Sequence, residues 1–285
     1  MEKLLCGDNK QRNIHIWEPE KPSMVFLTVH GGMDHGGNYV ILALYFRDHG
    51  IATVAHDMQG HDHHGPDHPT RVIISRFDVF LDDLDRMLDW VKQSYPGLPI
   101  FFLAHSMGSL VVTHYGIRRL GDDPDIKGFI LSSPYYVNAI KTPPIMVKLA
   151  GILSAIAPRM KLPIESFLDQ VTRDKEIYQR HLKDEADGIM AKESSMRFGA
   201  ELLKAQAWIP DHIGSLDRPV LMIVAGDDRL ADAGATRSLL KKIRPELLTE
   251  LYYPENMHEN FNELNREEIF GEILRWVEER EGAGA

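Results

Sequence analysis

Cysteine is nearly absent. Cys6 is the only one in 285 residues, so no intrachain disulfide can staple the fold, and a reducing compartment is the natural expectation. Long apolar runs are absent as well. The most hydrophobic window, PPIMVKLAGILSAIAP at 143–158, carries Lys148 and falls short of the ~20 residues that a membrane-spanning helix needs. The first residues, MEKLLCGDNKQRN, hold no apolar core of signal-peptide length. A cytoplasmic protein, at most peripheral to a membrane, is therefore expected. Positive charge is in deficit: 32 Lys and Arg against 42 Asp and Glu leave a formal charge of −10. A net anion is repelled by phosphate backbones, so nucleic acid is not an expected partner. Neither G-x-G-x-x-G nor G-x-x-x-x-G-K-[ST] occurs. No dinucleotide or nucleoside-triphosphate cradle is built, and no cofactor is expected. There is no internal repeat and no low-complexity tract.

What is present is an alternation. Short β-branched runs lie at Met24–His30, Ile51–His56, Ile100–Ala104, Gly128–Ser132, Pro219–Ala225 and Thr249–Tyr253. They are almost continuously apolar, as strands covered on both faces must be. Helical patterns separate them. Phe77, Phe80, Leu81, Leu84, Leu88 and Val91 recur at helical spacing and stop before Pro96, and Ile269, Ile273, Trp276 and Val277 do the same near the end. Strands alternating with helices predict an α/β fold, a mostly parallel sheet flanked by helices. The alternation breaks from about Tyr135 to Ile213, where no strand is evident. The spacing predicts a catalytic domain over 1–134 and 214–285, with a helical cap at 135–213 inserted between two of its strands.

The segment Ala104-His105-Ser106-Met107-Gly108-Ser109 follows one strand and opens a helix. A serine on so tight a turn is held in a strained backbone conformation that lifts its hydroxyl above the sheet, and its neighbours two before and two after must be small. Ala104 and Gly108 meet that demand. The alternative is a serine that merely caps a helix. A nucleophile also needs amide donors aimed at the developing oxyanion. One is expected from Met107. The other is expected at Gly32, in the His30-Gly31-Gly32 loop after the first strong strand, where glycine permits close backbone approach. His258 lies between the last strand and the last helix, and Asp227-Asp228 follow the preceding strand. The order serine, aspartate, histidine is that of the α/β-hydrolases. The spacing does not choose between Asp227 and Asp228.

The motifs HGGMDHGGNY (30–39), AHDMQGH (55–61), AHSMGS (104–109), AGDDRLAD (225–232) and ENMHENFNE (255–263) together resemble the monoacylglycerol lipase/lysophospholipase branch of the α/β-hydrolases. The resemblance implies that the acid is Asp228, which directly precedes Arg229-Leu230. It implies a Ser106–His258–Asp228 triad with oxyanion donors at Gly32 and Met107. It further implies hydrolysis of monoacylglycerols or similar single-chain acyl esters. A lysophospholipase or general carboxylesterase would use the same triad, and a non-catalytic ligand-binding relative would keep the fold alone. The stretch 145–157 is similar to a mobile lid helix. Its apolar stripe of Ile145, Met146, Leu149, Ile152, Leu153 and Ile156 is expected to line an acyl pocket, with Ile145, Leu149, Ile152 and Leu153 in contact with the chain. An exposed tip of it would touch lipid aggregates or a membrane surface.

His56, Asp57, His61, Asp62, His63, His64, Asp67 and His68 crowd one loop. A metallo-hydrolase of the H-x-H-x-D-H type would need Asp-His at 65–66, where this chain has Gly65-Pro66. The loop is read as a solvated rim of the active site, with no metal.

Overall fold

The structure, a computed structural model, describes residues 2–5, 11–61, 71–141, 143–162 and 166–282. In chain order these form β1 (Glu2–Leu5), β2 (Gln11–Trp17), β3 (Met24–Val29), α1 (Val40–Asp48), β4 (Ile51–His56), β5 (Arg71–Val72), α2 (Val79–Ser94), β6 (Ile100–His105), α3 (Met107–Arg118) and β7 (Ile126–Ser132). There follow α4 (Pro144–Ile156), β8 (Lys161–Leu162), α5 (Lys175–Ala186), β9 (Glu193–Ser195), α6 (Met196–His212), β10 (Val220–Ala225), α7 (Ala233–Leu240), β11 (Leu248–Tyr253) and α8 (Arg266–Gly282). Short 3-10 turns punctuate them.

Eight strands make one sheet in the order β1-β2-β4-β3-β6-β7-β10-β11. Among the described residues only β2 runs against the rest, pairing antiparallel with β1 and β4; β4, β3, β6, β7, β10 and β11 are parallel. Side chains alternate between the faces of a strand, and β3 shows what this does. Val25, Leu27 and Val29 join Phe102, Leu84 and Val111 in one core layer under α2 and α3. Met24 and Phe26 join Phe46, Phe270 and Trp276 in the other, under α1 and α8. Every residue of β3, β4 and β6 is buried. That explains their unbroken apolar character and the absence of alternation in the sequence.

The topology positions the site. The chain leaves β3 toward β4, then crosses back to place β6 on the other side of β3. At such a reversal the loops beyond the carboxyl ends of two adjacent strands diverge and leave a crevice. The loop after β3 carries Gly31-Gly32, and the turn after β6 carries Ser106. The loops after β10 and β11 carry Asp228 and His258 at the same end of the sheet.

Between β7 and β10 the chain adds no strand to this sheet. It is not wholly without strands, as the sequence had suggested. Lys161–Leu162 and Glu193–Ser195 pair antiparallel, and Glu193–Ser194 pair parallel with Arg71–Val72. Pieces of two or three residues are too short to leave a periodic signature, and each is fixed by its partners rather than by local propensity.

Candidate active site

Ser106 sits between the last residue of β6 and the first of α3 with φ 52° and ψ −120°. A non-glycine residue there costs on the order of 1–3 kcal/mol and persists only where its surroundings enforce it. The enforcing contacts are visible. The Ser106 amide donates to Ser132 O at 2.9 Å, which ties the turn to the end of β7. A Cβ on Gly108 would lie 2.2 Å from Val29 O and 2.6 Å from His30 O, so the helix can approach β3 only with glycine there. Ala104 is completely buried.

The Ser106 hydroxyl donates to His258 Nε2 at 2.7 Å. His258 Nδ1 lies 2.7 Å from Asp228 Oδ2; a carboxylate can only accept, so Nδ1 carries the proton and Nε2 is free to take the serine's. The second oxygen, Asp228 Oδ1, accepts from the Leu230 and Ala231 amides at 2.8 and 2.9 Å. Burial opposes the charged carboxyl, but the His258 charge and hydrogen bond, with the two amides, outweigh it and hold Asp228 below the usual carboxylate range. The side chain of Asp228 is 2% exposed and that of Asp227 51%, so the geometry separates the two acids that spacing alone could not.

Gly32 and Met107 face each other: a Cβ on Gly32 would meet Met107 Cβ at 3.7 Å. Among the described residues neither amide has an intramolecular hydrogen-bond partner, as an anion-binding pair requires. Both residues, with Ser106 and His258, line a cavity of about 330 Å³. Its wall is largely hydrocarbon, from Leu162, Phe167, Val171, Phe198, Leu202 and Leu203. None of Ile145, Leu149, Ile152 and Leu153 lines it. The helix that walls this cavity is α6, not α4. The α4 stripe packs only in part, and Ile145 and Ile156 are 72% and 77% exposed. The sequence could not reveal this because both helices carry apolar residues at helical spacing, and the choice is made by which of them the sheet covers.

The histidine-rich segment also departs from expectation. His56, Asp57 and His61 are buried, not solvated; Asp62, His63, His64, Asp67 and His68 lie outside the described residues. Among the described residues no group of three or more His, Cys, Asp or Glu has metal-binding geometry.

Sequence reasoning passed over a second layer. The His105 ring stands edge-on to His258, centroids 4.7 Å apart, and burial, then His258, pushes it down to about 3. Glu259, buried, is 2.9 Å from His181 Nε2 on α5 and accepts from Asn262 Nδ2 at 2.8 Å. Burial works against its charge, but His181 prevails and holds it at about 2. Adjacency to His258 was the one available signal for Glu259; His181 had none.

A parallel sheet flanked by helices, with a serine at the sharp strand-to-helix turn, defines the chain as an α/β-hydrolase. More particularly, a family profile described as serine aminopeptidase, S33, matches residues 20–265, and the chain belongs to that family. The chain is 30% identical to phospholipase YtpA of Bacillus subtilis (strain 168), over 89% of this chain and 95% of that one. It is 28% identical to monoglyceride lipase of Homo sapiens, over 97% and 90% respectively. Among solved structures, a monoacylglycerol lipase of Paleococcus ferrophilus shares the fold with a TM-score of 0.79 and 22% identity, covering 94% of this chain and 98% of that one.

Proposed function

We propose that this chain is a serine ester hydrolase acting on monoacylglycerols or similar single-acyl-chain esters, with residues 135–213 as its cap. One observation carries the reading: an unbroken hydrogen-bonded line from Ser106 through His258 to Asp228 opens onto an apolar cavity. The lipases and the phospholipase among its relatives support the same substrate class.

Ser106 Oγ attacks the acyl carbonyl while His258 Nε2 takes its proton. Asp228 stabilises the imidazolium and keeps it oriented. The carbonyl oxygen, now an anion, faces the Gly32 and Met107 amides. Collapse expels the alcohol, which leaves with the proton from His258. Water then attacks the acyl-enzyme, His258 receives the water's proton, and the fatty acid departs as Ser106 regains its own. The acyl chain runs along Phe198 and Leu202 of α6. No cofactor or metal enters these steps. The outward apolar face of α4 suits transient contact with lipid aggregates or a membrane surface. No helix among the described residues is long and apolar enough to cross a membrane.

The test is covalent. A serine-directed phosphonate should label Ser106 alone, and Ser106→Ala should lose both labelling and ester turnover while keeping its melting temperature. Labelling at another serine, or a wild type inert toward every ester tried, would sink the assignment. Relative rates on a monoacylglycerol, a lysophospholipid and a short nitrophenyl ester then separate the head-group alternatives.

A further inference from the structure

Gly32 has no side chain to hold it, yet its amide must point at one place. A trans peptide is a rigid plane in which the carbonyl oxygen and the next N–H point in opposite directions. Fixing one therefore fixes the other. The two planes that flank Gly32 are each held by an imidazole. His30 Nδ1 lies 2.7 Å from Gly31 O, in the plane that contains the Gly32 N–H. His61 Nε2 accepts from the Met33 N–H at 3.1 Å, in the plane that contains the Gly32 carbonyl.

Each ring is itself fixed at its other nitrogen. His30 Nε2 accepts from the Met58 N–H at 2.9 Å, and His61 Nδ1 lies 3.3 Å from Gln59 O. A backbone N–H can only donate and a carbonyl can only accept, so both rings are neutral with the proton on Nδ1. They stand edge to face with centroids 4.9 Å apart. Phe80 and Phe198 pack around His61. Burial, partly countered by the Gln59 hydrogen bond and Asp57, takes His61 down to about 4, so its acceptor nitrogen persists at neutral pH. The strain is stored on the same peptide. Met33 has φ 67° without being glycine, and its carbonyl accepts from the Ala191 amide at 2.9 Å.

We propose that His61, together with His30, is a positioning residue that aims the Gly32 amide at the oxyanion. This rests on the esterase reading above. It gives the buried start of the histidine-rich segment a role in catalysis by way of the backbone, with no contact to substrate. His61→Leu removes the acceptor, leaves Met33 N–H unpaired and lets the Gly32–Met33 plane turn. His61→Gln can place its Oε1 near the position of Nε2.

The experiment compares steady-state rates on a soluble nitrophenyl butyrate and the rate of phosphonate labelling. Small misplacements of a catalytic group cost up to about 100-fold, and loss of one oxyanion donor about 100- to 1,000-fold. On that scale His61→Leu should lower kcat by about 10- to 100-fold with KM within about twofold, slow phosphonylation in parallel, and be largely rescued by Gln. An unchanged kcat in His61→Leu, a loss confined to KM, or a Gln variant no better than Leu would overturn the proposal. A second measurement needs no variant: nitrogen NMR shifts of the wild-type chain should show His61 neutral with its proton on Nδ1, and a proton on Nε2 would overturn it equally. A wild type without esterase turnover would bring down both readings, whereas an active wild type with an unaffected Leu variant would bring down this one alone.

Discussion

At the scale of the residue, two adjacent aspartates make the sharpest comparison. Asp228 accepts three hydrogen bonds, one from His258 and two from backbone amides, while Asp227 lies 4.0 Å from the half-exposed Arg229. Asp228→Asn should therefore lower kcat by about 10³–10⁴-fold, because the imidazole loses its tautomer and its counter-charge. Asp227→Asn should alter it little. Reversed effects in steady-state assays would place the acid one residue earlier. The His181–Glu259 pair makes a claim about stability. His181 is raised despite burial because Glu259 faces it, so its contribution is full below the ordinary histidine value and is lost as pH rises through the raised one. Glu259 is depressed to about 2, so its contribution is full above the ordinary 4.5 and is lost as pH falls through about 2. His181→Ala strands a buried carboxylate and should cost about 3 kcal/mol of unfolding free energy. Urea titrations should show the gap widest in mild acid and narrower at alkaline pH; a gap independent of pH would mean that only packing was lost. Ser106 and His258 were legible because a tight turn and a strand end dictate their places, while only the resemblance chose Asp228 over Asp227. Glu259 and His181 were not legible. They meet only after α5 has been laid across the loops after β3 and β11, where Arg180 also reaches Asn38 and Asn262.

At the scale of the element, the cavity and the outer surface divide two helices that each carry apolar residues at helical spacing. The α6 face supplies Phe198, Leu202 and Leu203 to the cavity, while α4 turns most of its apolar face outward. Leu203→Ser should remove contact with two or three methylenes at about 0.8 kcal/mol each, roughly 2 kcal/mol in all. That is about 30-fold in kcat/KM on long-chain esters, with acetate esters spared. Ile145→Ser with Ile152→Ser should leave both substrates unaffected in solution and weaken sedimentation with lipid vesicles. A long-chain defect in the α4 double variant, rather than in Leu203→Ser, would return the acyl wall to α4. The parallel strands were the easiest to read: the six inferred from apolar runs correspond to β3, β4, β6, β7, β10 and β11 within two residues at each end. The antiparallel end of the sheet was not. In β2, Ile14 and Ile16 alternate with polar residues over seven positions, a pattern too short to tell from an irregular segment, and it is pairing with β1 and β4 that defines it.

At the scale of the whole molecule, the sheet joins residues far apart in the chain. Strand β7 pairs directly with β10, Phe129 opposite Val220, across an interval that adds no strand to the sheet. Closing such a loop grows only logarithmically with length, so doubling the interval costs about 0.6 kcal/mol. Length is therefore nearly free, and what resists change is burial. Phe198, Ala205 and Ile209 of α6 are part of the core beneath the sheet, whereas most apolar side chains of α4 are more than half exposed. The interval thus has a half that the fold holds and a half that it merely carries. Heredity can rewrite the carried half without disturbing either the sheet or the serine at the end of β6.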